Sequence, residues 1–314
     1  MRRISYRELF VSPTNIFGGI QKDYEEADYV ILGVPFDATS SYRAGARFAP
    51  AAIREASLNI ETYSLRTNID VEDLKIHDLG DLHISGSVKE TLRRVELVLA
   101  EIFKLRKVPV LIGGEHTITL GALRALKGLN PSVDDVTVVS FDAHLDLREE
   151  YLGERLCHAA VMRRVLEETG YRLVGVGTRA VCREEVEYAE RREVRFITSS
   201  EVLKNGVENT VERINRLTEG ADAVYLTIDM DVLDPAFAPA VQNPEPAGLS
   251  INILLEVLSG ICNSRVIALD LVEVAPTYDM GITAVQAARV IFEVLSFIER
   301  DRQFIKRHLN RENL

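Results

Sequence analysis

The stretch Val136-Thr137-Val138-Val139-Ser140-Phe141-Asp142-Ala143-His144-Leu145-Asp146 starts as an unbroken apolar run and ends in two carboxylates and an imidazole. Continuous rather than alternating hydrophobicity marks a strand covered on both faces, as in a parallel sheet. The same design recurs at 28–34, 108–114, 172–178, 223–229 and 265–274. Between these runs lie amphipathic stretches at 88–106, 116–128, 183–192, 207–218 and 281–299. Alternation of this kind predicts a wound α/β sheet.

Polar residues gather where the runs stop. Gly113-Gly114-Glu115-His116 follows one, Asp142, His144 and Asp146 end another, Asp229 and Asp231 a third, and Glu273 a fourth. Ligands of open α/β sheets bind beyond the carboxyl ends of the strands, so the four clusters are expected to converge on one crevice. In extended backbone the i, i+2, i+4 spacing of Asp142, His144 and Asp146 sends all three to the same face. So many carboxylates in one pocket repel one another and need cations. Oxygen-rich ligation with few imidazoles and no thiolate suits two Mn²⁺ ions, with Fe, Co, Ni and Zn left open.

The rest of the chain narrows the class. Of 314 residues, 46% are hydrophobic and 27% charged, enough apolar content to bury a large core and too much for extended disorder. The net charge of −11 disfavours nonspecific nucleic-acid binding and is compatible with a cationic small molecule. The start, MRRISYRELF, lacks the apolar core of a signal peptide, and no run spans a bilayer, so a cytoplasmic protein without membrane association is expected. Cys157, Cys182 and Cys262 are too scattered for a disulfide framework or zinc knuckle, which also fits a reducing compartment. No linker or repeat divides the chain, so a single domain over 1–314 is expected, its tail from about Glu299 a final helix or a frayed end.

Taken together, these motifs resemble the ureohydrolase (arginase/agmatinase) family, and agmatinases more closely than arginases. The resemblance rests on Gly113–Thr117, Ser140–Asp146, the run Thr227-Ile228-Asp229-Met230-Asp231-Val232-Leu233-Asp234-Pro235-Ala236-Phe237-Ala238-Pro239, the upstream segment Val34–Arg47 and Asp270–Pro276, and it spans about residues 28–298. It implies a three-layer αβα fold with a mainly parallel sheet of about eight strands. It also implies one Mn²⁺ on His116, Asp142, Asp146 and Asp229 and a second on His144, Asp142, Asp229 and Asp231. Glu273 falls where the family sets a carboxylate against the substrate guanidinium, and His158 where it keeps a proton-shuttling histidine that also meets substrate. Asp146 would pass a proton from the attacking hydroxide to the departing amine. Members usually form homo-oligomers, trimers or hexamers.

The cationic guanidino substrate implied is agmatine, cleaved to putrescine and urea. Alternatives are aminopropylagmatine, guanidinobutyrate or arginine, a formimino or amide hydrolase of the same fold, and a catalytically silent binder of metal or guanidine. The arginase pattern of small polar residues is missing from Leu147–Cys157, where Glu149, Glu150 and Glu154 are candidates to meet a distal ammonium unless Arg148 and Arg155 pair with them. Two segments depart from the family pattern: Cys157-His158-Ala159-Ala160, where a glycine usually follows the histidine, and Ala240–Gly248, which is usually rich in Gly and Thr. Cys157 reads as a packed thiol rather than a nucleophile.

Overall fold

Each apolar run becomes a strand because both of its faces find a core. In β2 (Tyr29–Val34) Tyr29 and Ile31 enter one hydrophobic cluster while Val30, Leu32 and Val34 enter another, all fully buried. The computed structural model describes residues 5–129 and 135–312. Its main sheet has nine strands in the order β1 (Val11–Ser12), β5 (Ile76–Leu82), β2, β6 (Val108–Gly113), β11 (Val266–Val272), β10 (Ala223–Asp229), β7 (Val136–Phe141), β8 (Arg172–Thr178) and β9 (Arg195–Thr198). Every pair is parallel except β1 with β5 at one edge. A two-strand ribbon, β3 (Tyr63–Ser64) with β4 (Ile69–Asp70), stands apart.

Helices cover both faces, giving the three-layer αβα arrangement. One face carries α2 (Ala49–Ser57), α7 (Ser199–Leu217), α8 (Ile251–Ile261) and α9 (Ile282–Glu312). The other carries α3 (Val88–Lys104), α4 (Ile118–Leu129), α5 (Val161–Thr169) and α6 (Arg183–Arg191), with the short α1 (Tyr6–Phe10) against α3. The strands beyond the six apolar runs are β1, β5 and β9, near the sheet edges. There β5 buries alternate residues only, so its sequence shows no continuous apolar run. Helix α8 lacks amphipathic contrast because it lies deep in the core, with Leu254, Leu255, Val257, Leu258 and Ile261 all buried. Glu299 marks no boundary, since α9 runs on to Glu312. Among the described residues no helix is long and apolar enough to cross a membrane.

The strand order has one consequence for function. The four runs that end in polar clusters, β6, β11, β10 and β7, are adjacent at the centre of the sheet and parallel. Their carboxyl ends therefore open on a single edge.

Candidate metal centre

At the end of β6 the chain must turn against its neighbour. A Cβ on Gly114 would lie 2.0 Å from the Phe36 carbonyl oxygen and 2.7 Å from that of Val34, so only glycine fits. Its close approach lets the Gly114 amide donate to Val34 O and the Glu115 amide to Phe36 O, which carries His116 into the crevice. His116 is fully buried.

The two acidic motifs are built alike, and not as extended strand. With a rise of about 3.3 Å per residue, extended backbone would separate positions 142 and 146 by roughly 13 Å. Instead β7 stops at Phe141, and the Asp142 carboxylate accepts the His144 amide at 2.6 Å. Likewise β10 stops at Asp229, whose carboxylate accepts the Asp231 amide at 2.8 Å. Each aspartate thus bends its own chain in a turn closed by its side chain. Asp231 then accepts the Ala143 amide at 3.0 Å, tying the motifs together, and Asp146 adopts a left-handed φ of 52°. The curl brings Asp142, Asp146 and Asp229 oxygens within 3.2, 3.1 and 3.5 Å of His116 Nδ1. His144 Nδ1 lies 2.9 Å from Asp231 and 3.5 Å from Asp142.

All six expected ligands therefore meet, and their electrostatics call for cations. Burial, with the Asp142 charge second, pushes Asp146 up to about 7, and burial, then Asp231 and Asp142, holds Asp229 well above the usual carboxylate range. Burial works to lower the His116 pKa, but Asp142, Asp146 and Asp229 override it and raise the imidazole well above its ordinary value. Yet neither His116 Nδ1 nor Asp142 Oδ2, both buried, makes a hydrogen bond. Buried donor atoms that converge without hydrogen-bond geometry between them fit shared cations better than an ion-pair network. Two overlapping triads suit this use: His116 with Asp142 and Asp229, and His144 with Asp142 and Asp231.

Support beneath the ligands comes from residues that the motif reading passed over. His116 Nε2 lies 2.9 Å from Thr227 Oγ1, whose hydroxyl donates to Asp270 at 2.5 Å. Asp270, fully buried, also accepts from Tyr225 OH at 2.6 Å and Thr119 Oγ1 at 2.8 Å. Because the Thr227 proton is spent on Asp270, its oxygen accepts from His116 Nε2–H, which leaves the Nδ1 lone pair facing the carboxylates. The signal for this brace was present as Thr227 and Asp270 inside quoted motifs, but nothing local pairs them.

Glu273 directly follows β11 with a φ of 69°, a left-handed conformation that costs a non-glycine residue about 1–3 kcal/mol. The strain aims its carboxylate at the crevice. Oε1 accepts the His116 amide at 2.6 Å, while Oε2 is buried with no hydrogen bond. Burial raises its pKa well above the usual range; the His116 amide opposes this and the Glu115 charge adds to it.

A cavity of about 480 Å³ opens above this floor, lined by His144, Asp146, Asp229, Asp231 and Glu273 below and by Ser41, Arg148, Tyr151, His158, Arg179, Asn243 and Glu245 around its mouth. His158 Nε2 is 3.1 Å from Ser41 Oγ, and its buried Nδ1 is unpartnered. Burial first, then the charges of His144 and His116, pulls its pKa down to about 4, below the 6.5 expected for a shuttle, so the imidazole is neutral near pH 7. Ser41 belongs to a loop pinned from three sides. Glu115 accepts from the Thr39 amide at 2.8 Å and from the Thr39 hydroxyl, Asp37 accepts from the Gly45 amide at 2.9 Å, and Gln242 donates to Ser40 Oγ and to Arg43 O.

The acids of the 147–157 loop do not reach the cavity. Glu149 pairs with Arg155 at 2.6 Å and with Arg163, while Glu150 and Glu154 point to solvent. Arg148, by contrast, does line the mouth, stacked 4.9 Å from the Tyr151 ring centroid. Cys157 is buried, donates to Glu154 O at 3.3 Å, and is pushed up to about 11, by burial foremost. That agrees with a packed thiol.

Comparison with known proteins places this geometry. The model of the Arginase family matches residues 27–296. The chain is 38% identical over 272 residues to N(1)-aminopropylagmatine ureohydrolase of Thermococcus kodakarensis, covering 85% of this chain and 90% of that protein. It is 35% identical over 281 residues to agmatinase of Pyrococcus horikoshii, covering 88% and 94%. Among solved structures, the agmatine ureohydrolase of Thermoplasma volcanium superposes with a TM-score of 0.83 at 40% identity, covering 90% of this chain and 93% of that one.

Proposed function

This chain belongs to the arginase family and is a hydrolase, and within that family we propose that it hydrolyses agmatine to urea and putrescine. The observation that carries a guanidinium target is Glu273, a strained, buried carboxylate with one oxygen unpartnered beside the acidic cluster. A planar cation donating to that oxygen satisfies both the orphaned acceptor and the buried charge.

His116, Asp142, Asp146 and Asp229 would hold one divalent cation, and His144, Asp142, Asp229 and Asp231 the other, with Mn²⁺ favoured by the oxygen-rich donors. Bound there, the two cations supply a water-derived nucleophile at neutral pH. Glu273 presents the guanidinium carbon to it. Asp146 takes the proton released from water as the C–O bond forms and passes it to the alkyl nitrogen as the C–N bond breaks. His158, neutral and hydrogen-bonded to Ser41, exchanges the remaining proton with solvent. Large apolar side chains exposed along 278–285, Tyr278, Met280, Ile282 and Val285, support assembly of several copies, as a trimer or hexamer.

The decisive experiment incubates Mn²⁺-loaded protein with agmatine, aminopropylagmatine, guanidinobutyrate, arginine and formiminoglutamate and measures urea and formamide. Urea released fastest from agmatine is expected. Faster turnover of aminopropylagmatine would move the assignment to the longer polyamine, and no urea from any guanidine would sink it.

A further inference from the structure

Four charged side chains stand around the cavity mouth, Arg148, Arg179, Glu185 and Glu245, and all but one are already engaged. Arg179 spends its guanidinium on backbone carbonyls: Nε donates to Pro246 O at 2.9 Å, Nη1 to Gly177 O and Val232 O, and Nη2 to Asp231 O at 2.7 Å, Leu233 O and Glu245 O at 2.8 Å. It clamps the 229–233 turn to the 243–248 loop and keeps no donor for a ligand. Glu185 accepts the Leu147 amide with one oxygen and the Cys182 amide, at the start of α6, with the other. Arg148 lies over the Tyr151 ring and 3.9 Å from Glu185.

Glu245 differs. Its backbone is fixed by Arg179, yet among the described residues its carboxylate makes no hydrogen bond. The side chain is 40% exposed, lines the cavity, and has His144 Nε2 as its nearest charged neighbour at 3.9 Å, beyond hydrogen-bond reach. Glu245 thus shares a cavity with Glu273, its carboxylate standing beside His144.

We propose that Glu245 is the specificity residue that receives the distal ammonium of the substrate, so that the site selects guanidines ending in a cation over those ending in a carboxylate or a methyl group. This rests on the guanidine-hydrolase reading above. It replaces Glu149, Glu150 and Glu154 in that role. An exposed ion pair of this kind is worth about 1 kcal/mol, or roughly fivefold in an equilibrium constant.

The test compares agmatine with butylguanidine, which has the same guanidinium and chain length but no ammonium, and with guanidinobutyrate, all with the Mn²⁺-loaded full chain. In Glu245→Gln the KM for agmatine is expected to rise about five- to tenfold with kcat held within about twofold, while the butylguanidine values stay unchanged. Glu245→Asp should recover part of the loss, and Glu245→Arg should turn the preference between agmatine and guanidinobutyrate toward the acid. Equal loss on all three substrates, or weaker Mn²⁺ binding in a competition titration, would assign Glu245 to orienting His144 and overturn the proposal. If wild type releases urea from no guanidine, calorimetric binding of agmatine against butylguanidine carries the same comparison. A preference for agmatine that E245Q abolishes keeps the subsite even as the reaction falls, and equal binding in wild type rejects it.

Discussion

The floor and the mouth of one cavity are held by opposite means. On the floor, four adjacent strands deliver buried side chains whose partners are fixed by short hydrogen bonds and by left-handed backbone at Asp146 and Glu273. Around the mouth, Gln242 staples loop 240–248 to loop 37–45, Glu115 and Arg179 pin those loops, Glu185 holds loop 147–157, and side chains such as Glu245 are left half exposed. Rigid strand ends set geometry to tenths of an ångström, which hydrolytic chemistry requires; loops on such a scaffold can change side chains without moving it. The two sequence departures, at 157–160 and 240–248, both fall at the mouth.

The largest effect expected is on the floor. Asp142→Asn removes an oxygen shared by both triads and should abolish bound metal, read by atomic spectroscopy, together with urea release by at least about a thousandfold. Retained turnover would mean that Asp142 does not bridge.

Next is the brace under His116. Thr227→Val leaves Asp270 Oδ1 and His116 Nε2 unpaired, so metal affinity should fall about 10–100-fold, measured by competition with a chelator, whereas Thr227→Ser should keep it. Equal behaviour of the two variants would show that the hydroxyl does not orient the imidazole.

Mouth substitutions should act more weakly and on other quantities. Ala247 holds a φ of 62°, and Ala247→Gly relieves that strain at the cost of a freer unfolded chain, so a gain of about 0.5–1 kcal/mol is expected, seen as a Tm rise of about 2 °C. No gain would place the loop's order elsewhere. The smallest effect concerns Cys157. With its thiol pushed up to about 11, the thiolate is scarce at pH 8 and grows as pH rises toward 11, so alkylation at pH 8 should leave Cys157 unmodified and urea release unchanged. Rapid labelling by mass spectrometry would contradict its burial.

Much of this was legible in the chain. The six runs became the strands they predicted, and the polar residues after four of them converge as topology required. The main-sheet strands that went unread, β1, β5 and β9, sit toward the edges where continuous hydrophobicity fades. Extended spacing singled out Asp142, His144 and Asp146, which do meet, but a turn rather than the pleat period brings them together. Of the 147–157 acids, Glu149 takes the alternative left open, pairing with Arg155, and its further pairing with Arg163, on α5, cannot be seen along the loop itself.

By itself, then, the sequence determined which side chains make the floor, because hydrophobic period and chain order fix where strands end. Tertiary structure alone decided that Asp270 steadies His116 through Thr227, that Arg179 is consumed by carbonyls, and that the Glu245 carboxylate meets only His144, at 3.9 Å, among the described residues. Most of those contacts join residues far apart in the chain, as with Asp270 and Thr227 at a separation of 43. Hydrogen bonds and charge satisfaction act through space, and local pattern records neither.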